Sequence, residues 1–136
     1  YTRERYDANG HVAAPADAVM SQTGMEVYPQ SLANAVRYGY KQTGLPIMIT
    51  EHGIAAEKDT LRASFVKASL TELKAMLDQE QIPLIGYLHW SLLDNFEWVF
   101  GYVPTFGLVE VDRTTFQRTP KPSLAMLGQI AKNNQL

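Results

Sequence analysis

The chain has 136 residues, of which 46% are hydrophobic and 19% charged, the composition of a soluble globular domain rather than a disordered or fibrous one. Twelve basic and fourteen acidic residues give a formal charge of -2, so the chain lacks the basic field that attracts a nucleic-acid backbone. It has no cysteine, which excludes disulfides and thiolate metal sites, and no apolar run approaches the roughly twenty residues of a membrane span.

The first third of the chain changes from loop to helix. Residues 1–5 read as the frayed end of a strand and residues 6–23 as a long surface loop, because nothing there recurs at a strand or helix period. Apolar side chains then recur at helical spacing, with Pro29 suited to a first turn and Gly44 to the position after a last one. This pattern predicts a helix over residues 30–43.

A strand, a helix and a second strand follow. The apolar runs at residues 46–50 and 84–89 each predict a short buried strand. Between them, apolar residues at helical spacing predict a helix that begins at Asp59, whose carboxylate is expected to cap its first turn. Together these elements predict a βαβ unit with parallel strands and a right-handed crossover.

The C-terminal part predicts a hairpin and a last helix. Residues 106–112 and 115–118 flank a polar turn and predict two short strands, interrupted by prolines. Residues 123–131 place apolar side chains on one helical face. Since no repeat or change in composition divides the chain, we expect a single domain over residues 1–136.

Chemically active residues follow both predicted parallel strands. Glu51 stands directly after the first strand, and the loop after the second contains Trp90, Asp94, Asn95, Glu97 and Trp98. Loops at the carboxyl ends of parallel strands converge, so these side chains are expected in one mouth. Flat aromatic rings suit the C–H face of a sugar, and planar polar groups suit its hydroxyls. Two carboxylates in such a mouth indicate glycoside hydrolysis, which needs a negative carboxylate and a proton donor.

These motifs resemble those of glycoside hydrolase family 1, the β-glucosidase family, in order and spacing from residue 24 almost to the end. The matching segments are residues 26–29, 49–53, 59–62, 86–98, 101–102, 106–112 and 118–123. The resemblance implies an α/β fold, the (β/α)8 TIM barrel, of which this chain would supply the last two strands and their helices. Because such a barrel needs about 250 residues, the chain is expected to be a fragment that pairs with an N-terminal complement and is inactive alone.

The resemblance also implies roles for individual residues. It places Glu51 on the nucleophile that forms a covalent glycosyl-enzyme in retaining β-glycosidases, and Tyr1 on a tyrosine that hydrogen-bonds this nucleophile. Sugar-binding roles fall on Trp90, Glu97, Trp98 and Phe106. The expected substrates are small, unphosphorylated β-glucosides or related β-glycosides, because the Glu97 carboxylate would repel a phosphate.

Three departures from the family pattern are visible. His52 stands where the family often has Asn, and Met25 where it often has Trp. The Asn-Glu pair of the family's acid/base has no counterpart in the chain, so the proton donor is expected from sequence outside it. General acid–base help is typically worth 10²- to 10⁴-fold.

Other interpretations stay open. Glu51 could be an ordinary surface glutamate, the two tryptophans could pack in a core, and Phe106 suits a core as well as a sugar pocket. The alternative function is a non-catalytic carbohydrate-binding or structural half-barrel.

The expected partners are a β-glycoside and the N-terminal complement, with no nucleic acid and no membrane. His11, His52 and His89 fit no ligand spacing, so neither a metal nor another cofactor is expected. The lack of cysteine leaves the redox compartment undetermined, and the lack of a visible signal peptide favours the cytoplasm.

Overall fold

The computed structural model describes residues 6–10 and 13–136. In chain order its elements are α1 (Ser31–Thr43), β1 (Ile47–Ile49), α2 (Asp59–Glu80), β2 (Leu84–Tyr87), a 3-10 turn (Trp98–Phe100), β3 (Val109–Val111), β4 (Arg118–Pro120) and α3 (Pro122–Asn133). These bounds confirm the three predicted helices, the two parallel strands and the presence of a hairpin. The predicted burial of the strands was wrong in part, since Ile49 is the one buried residue of β1 and β2. The second hairpin strand lies at Arg118–Pro120 instead of residues 115–118. The strand end predicted at residues 1–5, and with it Tyr1, lies outside the described residues. Among the described helices, none combines the length and apolarity that a membrane crossing requires.

The βαβ unit is present, since β1 and β2 pair in parallel and α2 connects them. Ile47 lies opposite Leu84 and Ile49 opposite Tyr87, with one register shift between them. Helices α1 and α2 pack together, and α3 packs on α2. The buried apolar cluster consists of Leu32, Ala33, Val36, Ile49, Ile54, Ala56, Phe65, Val66, Leu70, Leu73, Met76 and Ile82. Burial of each large member contributes roughly 1.5–3 kcal/mol relative to exposure, so this cluster fixes the strand ends against the helices.

Apolar side chains also remain exposed along both strands. Met48 in β1 is 48% exposed, Ile85 in β2 is 69% exposed and Leu88 just beyond it is 50% exposed. Strands of parallel sheets are usually covered on both faces. The two-stranded sheet of the described residues therefore leaves apolar surface that a closed barrel would cover.

The hairpin is less interrupted than the sequence suggested. Val109 pairs with Pro120 and Val111 with Arg118 in antiparallel register, so Pro120 is the last residue of β4 rather than a break. A proline is tolerated there because the strand lies at an edge. Pro122 occupies the first turn of α3, where a missing N–H has no consequence.

The predicted capping role of Asp59 was wrong. Helix α2 has Lys58 at its N-cap and no side-chain capping bond. The Asp59 carboxylate instead accepts hydrogen bonds from the backbone N–H of Ser123, at 2.8 Å, and from its hydroxyl, at 2.7 Å. Because α2 and α3 start side by side, Asp59 caps the neighbouring helix rather than its own.

Asp59 also holds a buried cation. Its carboxylate lies 2.6 Å from the guanidinium of Arg62, which is 1% exposed. Burial of Asp59 opposes ionisation, but the bonds from Ser123 and Arg62 outweigh it and lower the pKa of the carboxyl group. One side chain therefore joins two helix starts and a buried charge.

We expect Asp59→Ala to lower the free energy of unfolding by about 3–5 kcal/mol, because it leaves Arg62 buried without its charge partner. Urea denaturation of the protein measures this change. Asp78→Ala is the matched control, since Asp78 forms an exposed ion pair with Lys74 on the same helix and should cost less than about 1 kcal/mol. Equal losses in the two variants would contradict the buried role of Asp59.

Candidate active site

A cavity of about 440 Å³ extends from the first half of α1 along β1 to the loops that follow β1 and β2. Four of the residues predicted from sequence contribute to its wall: Glu51, Trp90, Glu97 and Phe106. Trp98 does not line the cavity and is 81% exposed. Tyr1 lies outside the described residues. The structure thus brings one carboxylate after β1 together with an indole, a second carboxylate and a phenyl ring from later in the chain.

Glu51 lies on a short span whose two ends are fixed to the neighbouring chain. On one side, the N–H of Leu88 donates to the carbonyl of Ile49 at 2.8 Å. On the other, the N–H of Trp90 donates to the carbonyl of His52 at 2.9 Å. Ile49 and His52 are buried, whereas Thr50 and Glu51 are exposed. Glu51 is therefore exposed between two buried residues, Ile49 and His52, whose backbones are held by hydrogen bonds.

His52 is buried beside the exposed carboxylate. Its Nδ1 lies 2.8 Å from the hydroxyl of Tyr87, and its ring stacks on Phe65 with centroids 5.1 Å apart. Burial, followed by the proximity of His89, lowers the pKa of His52 to about 4. Burial likewise lowers the pKa of His89 to about 4 and raises that of Tyr87. At neutral pH the side chains of His52, His89 and Tyr87 are therefore uncharged.

The two histidines predict a loss of stability in mild acid. Their pKa falls from 6.5 in the unfolded chain to about 4 in the folded one, so the unfolded chain binds more protons between these values. The free energy of unfolding should therefore decrease as the pH is lowered from about 6.5 to about 4. Below about pH 4 the two histidines should cause no further decrease. Melting temperature against pH measures it. Replacing both with Asn should flatten the curve in that window, and an unchanged slope would contradict the assignment.

The loop after β2 uses much of its polarity internally, which corrects part of the sequence interpretation. Asp94 is buried, and its carboxylate accepts from the Lys121 ammonium at 2.8 and 2.9 Å and from the N–H of Gly107 at 2.8 Å. Asn95 donates to the hydroxyl of Ser91 at 3.1 Å. These two residues shape the loop instead of lining a wet pocket. Of the polar residues between the tryptophans, Glu97 is the one in the cavity wall.

Two cations that support the site were missed by sequence reasoning. Lys121 bridges Asp94 and the carbonyl of Gly107, which directly follows Phe106. Arg62 donates to the carbonyl of Ala56, at 2.8 Å, and to that of Thr105. It thereby ties the loop after β1 to the segment that carries Phe106. Their positions within matched family segments were the sole sequence signal, since a basic residue far along the chain gives no sign of its buried partner.

No group of three or more His, Cys, Asp and Glu side chains is arranged to hold a metal ion in the described part of the chain. The chemistry that the cavity offers comes from carboxylates and aromatic rings. A carboxylate that follows one parallel strand lines the same cavity as aromatic side chains that follow the next strand. This arrangement is typical of α/β proteins with a site at the carboxyl edge of the sheet.

The chain belongs to glycosyl hydrolase family 1, whose profile matches residues 2–136. The β-galactosidase of Pyrococcus woesei is 38% identical over 87% of the chain, and the chloroplastic galactolipid galactosyltransferase SFR2 of Arabidopsis thaliana is 34% identical over 85%. The crystal structure of β-glycosidase BGL167 superimposes with a TM-score of 0.89 and 40% identity over 96% of the chain.

The chain spans 23% and 19% of those two curated relatives and 31% of the solved structure. The solved relatives are TIM barrels, which confirms the fold class expected from the motifs. The described residues themselves form no closed barrel.

Proposed function

We propose that this chain forms the nucleophile-bearing part of a retaining β-glycosidase that acts on small β-glucosides or related β-glycosides. The supporting observation is that Glu51, Trp90, Glu97 and Phe106, which follow β1 and β2 in the chain, line one cavity. An exposed carboxylate beside aromatic rings is suited to attack on a sugar held by its apolar face.

In the proposed reaction, the carboxylate of Glu51 attacks the anomeric carbon and displaces the leaving-group oxygen. A bond forms between the glutamate and the sugar while the glycosidic C–O bond breaks, and a carboxylic acid protonates the departing oxygen. Water then attacks the same carbon, its proton returns to that acid/base, and Glu51 is released. Trp90 and Phe106 supply apolar contact for the sugar, and Glu97 accepts hydrogen bonds from its hydroxyls.

The acid/base is proposed to come from an N-terminal complement, the remaining strands of the barrel. The chain has no Asn-Glu pair, and apolar side chains along β1 and β2 are exposed where such strands would pack. The assembled barrel is this chain joined to that complement, which is taken from the chain's own full-length protein or from a solved relative. Tyr1 and Trp98 keep their proposed roles as the hydrogen-bond donor to the nucleophile and the indole beside Glu97.

The proposal is tested with an aryl 2-deoxy-2-fluoro-β-glucoside, which is expected to form the glycosyl-enzyme quickly and to release it slowly. The assembled barrel should give one burst of aryl alcohol per molecule, and mass spectrometry of its peptides should locate the sugar on Glu51. A label on another residue, or turnover without a covalent adduct, contradicts the proposal.

A non-catalytic carbohydrate-binding half-barrel is the second candidate, because the chain itself carries no counterpart of the acid/base motif. An ordinary aryl β-glucoside distinguishes the two. Binding without turnover, both by the chain and by the assembled barrel, would favour this candidate over the glycosidase.

A further inference from the structure

We propose that His52 is a positioning residue for Glu51, holding the chain on the carboxyl side of the nucleophile through its hydrogen bond with Tyr87, while its stacking on Phe65 contributes to stability. The inference rests on the proposed function, because it assigns His52 an effect on the reaction of the Glu51 carboxylate. It concerns a residue that has no direct part in the proposed chemistry.

His52 connects three parts of the fold. Its imidazole is hydrogen-bonded at 2.8 Å to the hydroxyl of Tyr87, the last residue of β2. Its ring stacks on Phe65 of α2 with an interplanar angle of 23°. Its carbonyl accepts the backbone N–H of Trp90. A single residue thus contacts the neighbouring strand, the helix behind the sheet and the residue proposed to form the sugar platform.

The span that carries Glu51 depends on this anchor. Toward the N-terminus it is fixed by strand pairing and by the buried side chain of Ile49, which is 6% exposed. Toward the C-terminus Gly53 has no side chain, so His52 provides the nearest side-chain anchor, and it is 9% exposed. If that anchor loosens, the direction of the carboxylate relative to Trp90 is no longer fixed, and displacements on the order of 1 Å can lower a rate by about 10²-fold.

The ring's chemistry fits a fixed support better than a proton carrier. Both Nδ1 and the Tyr87 hydroxyl are sequestered, and the pKa of His52 is lowered to about 4 by burial, so the imidazole stays neutral at neutral pH. Its Nε2 has no hydrogen-bond partner among the described residues. The ring's contacts include the hydrogen bond to Tyr87, a tilted contact with the Tyr87 ring at 5.7 Å and the stacking on Phe65.

Three variants of the assembled barrel separate the hydrogen bond from the stacking. His52→Phe keeps an aromatic ring on Phe65 and removes the bond to Tyr87, and Tyr87→Phe removes the same bond from the other side. His52→Asn retains a polar atom near the position of Nδ1 but loses the stack. We expect His52→Phe and Tyr87→Phe each to lower kcat for an aryl β-glucoside roughly ten- to hundredfold with little change in KM.

His52→Asn should remain within about fivefold of the parent kcat while its melting temperature falls further than that of His52→Phe. The double variant His52→Phe/Tyr87→Phe should be no slower than the slower single variant, because both changes remove one bond. Tyr38→Phe is the matched control, since Tyr38 is 61% exposed on α1 and should leave kcat unchanged.

The result separates this inference from the proposed function. If Glu51→Ala keeps its activity, the proposed function fails. If Glu51→Ala is inactive while folded His52→Phe and Tyr87→Phe react within twofold of the parent, the positioning role alone fails. Should one of the two not fold, the other still decides, since each removes the same bond. A decrease in kcat that follows the decrease in melting temperature across all variants would also overturn the positioning role, because that pattern is expected of a purely structural residue.

Discussion

Glu51→Ala is expected to lower turnover of an aryl β-glucoside by the assembled barrel by roughly 10⁴-fold or more, the scale seen when a nucleophile that works as part of a unit is removed. The physical reason is that, among the described residues, Glu51 is the one carboxylate that lies within two residues of the end of β1 and lines the same cavity as Trp90. Steady-state release of the aryl alcohol measures the loss. Circular dichroism should show an unchanged fold, because Glu51 is exposed and packs against little.

Two controls make this test specific. Glu57→Ala alters an exposed glutamate in the same loop, outside the wall of the cavity, and should leave turnover within about twofold. A small external anion such as azide should restore reaction of Glu51→Ala with an activated substrate and give the opposite anomer as product. Activity of Glu51→Ala within a few-fold of the parent would end the nucleophile assignment.

Gly53→Ala is expected to cause the next largest loss, about 10²-fold in kcat, although it changes no charged or aromatic group. A β-carbon at Gly53 would lie 1.7 Å from the carbonyl oxygen of Trp90 and 2.9 Å from its carbonyl carbon. The first distance would have to roughly double to reach ordinary contact. Since both atoms are backbone, the loops that carry Glu51 and Trp90 must separate, and stability should fall by about 1–3 kcal/mol as well.

Gly128→Ala is the matched control for this change. Apart from its chain neighbours and the backbone of its own helix, no atom of the described residues lies within 4 Å of a β-carbon built at Gly128, which is inside α3. Alanine there should stabilise the protein by about 0.5–1 kcal/mol and leave kcat unchanged. Kinetics and urea denaturation of both variants provide the comparison. If Gly53→Ala retained full activity, the close approach of the two loops would have no functional weight.

The elements of this chain were largely predictable because their signals are local. Helix α1 ends at Thr43 and is followed by Gly44 in the left-handed conformation, as the glycine indicated. The order of strand, helix and strand required β1 and β2 to be parallel, and that placed Glu51 and Trp90 at one edge of the sheet. The same order explains why four of the six predicted site residues line a single cavity.

The errors concern polar residues whose partners are distant in sequence. Asp59 was expected to cap its own helix, but its carboxylate accepts two hydrogen bonds from Ser123, 64 positions later. Asp94 was expected in one mouth with Glu51 and the tryptophans, but it is buried in an ion pair with Lys121. In both cases a short-range pattern suggested a local use, and a tertiary contact replaced it.

The sequence by itself determined the family, the order of the elements and the edge of the sheet at which the Glu51 carboxylate and the Trp90 indole lie. These follow from periodicity, turn residues and motif spacing, which act within a few residues along the chain. Tertiary structure alone decided which carboxylates line the cavity and which are paired with Lys121, Arg62 and Ser123. A buried polar group is stable only where a partner meets it in space, and that meeting is set by packing between elements.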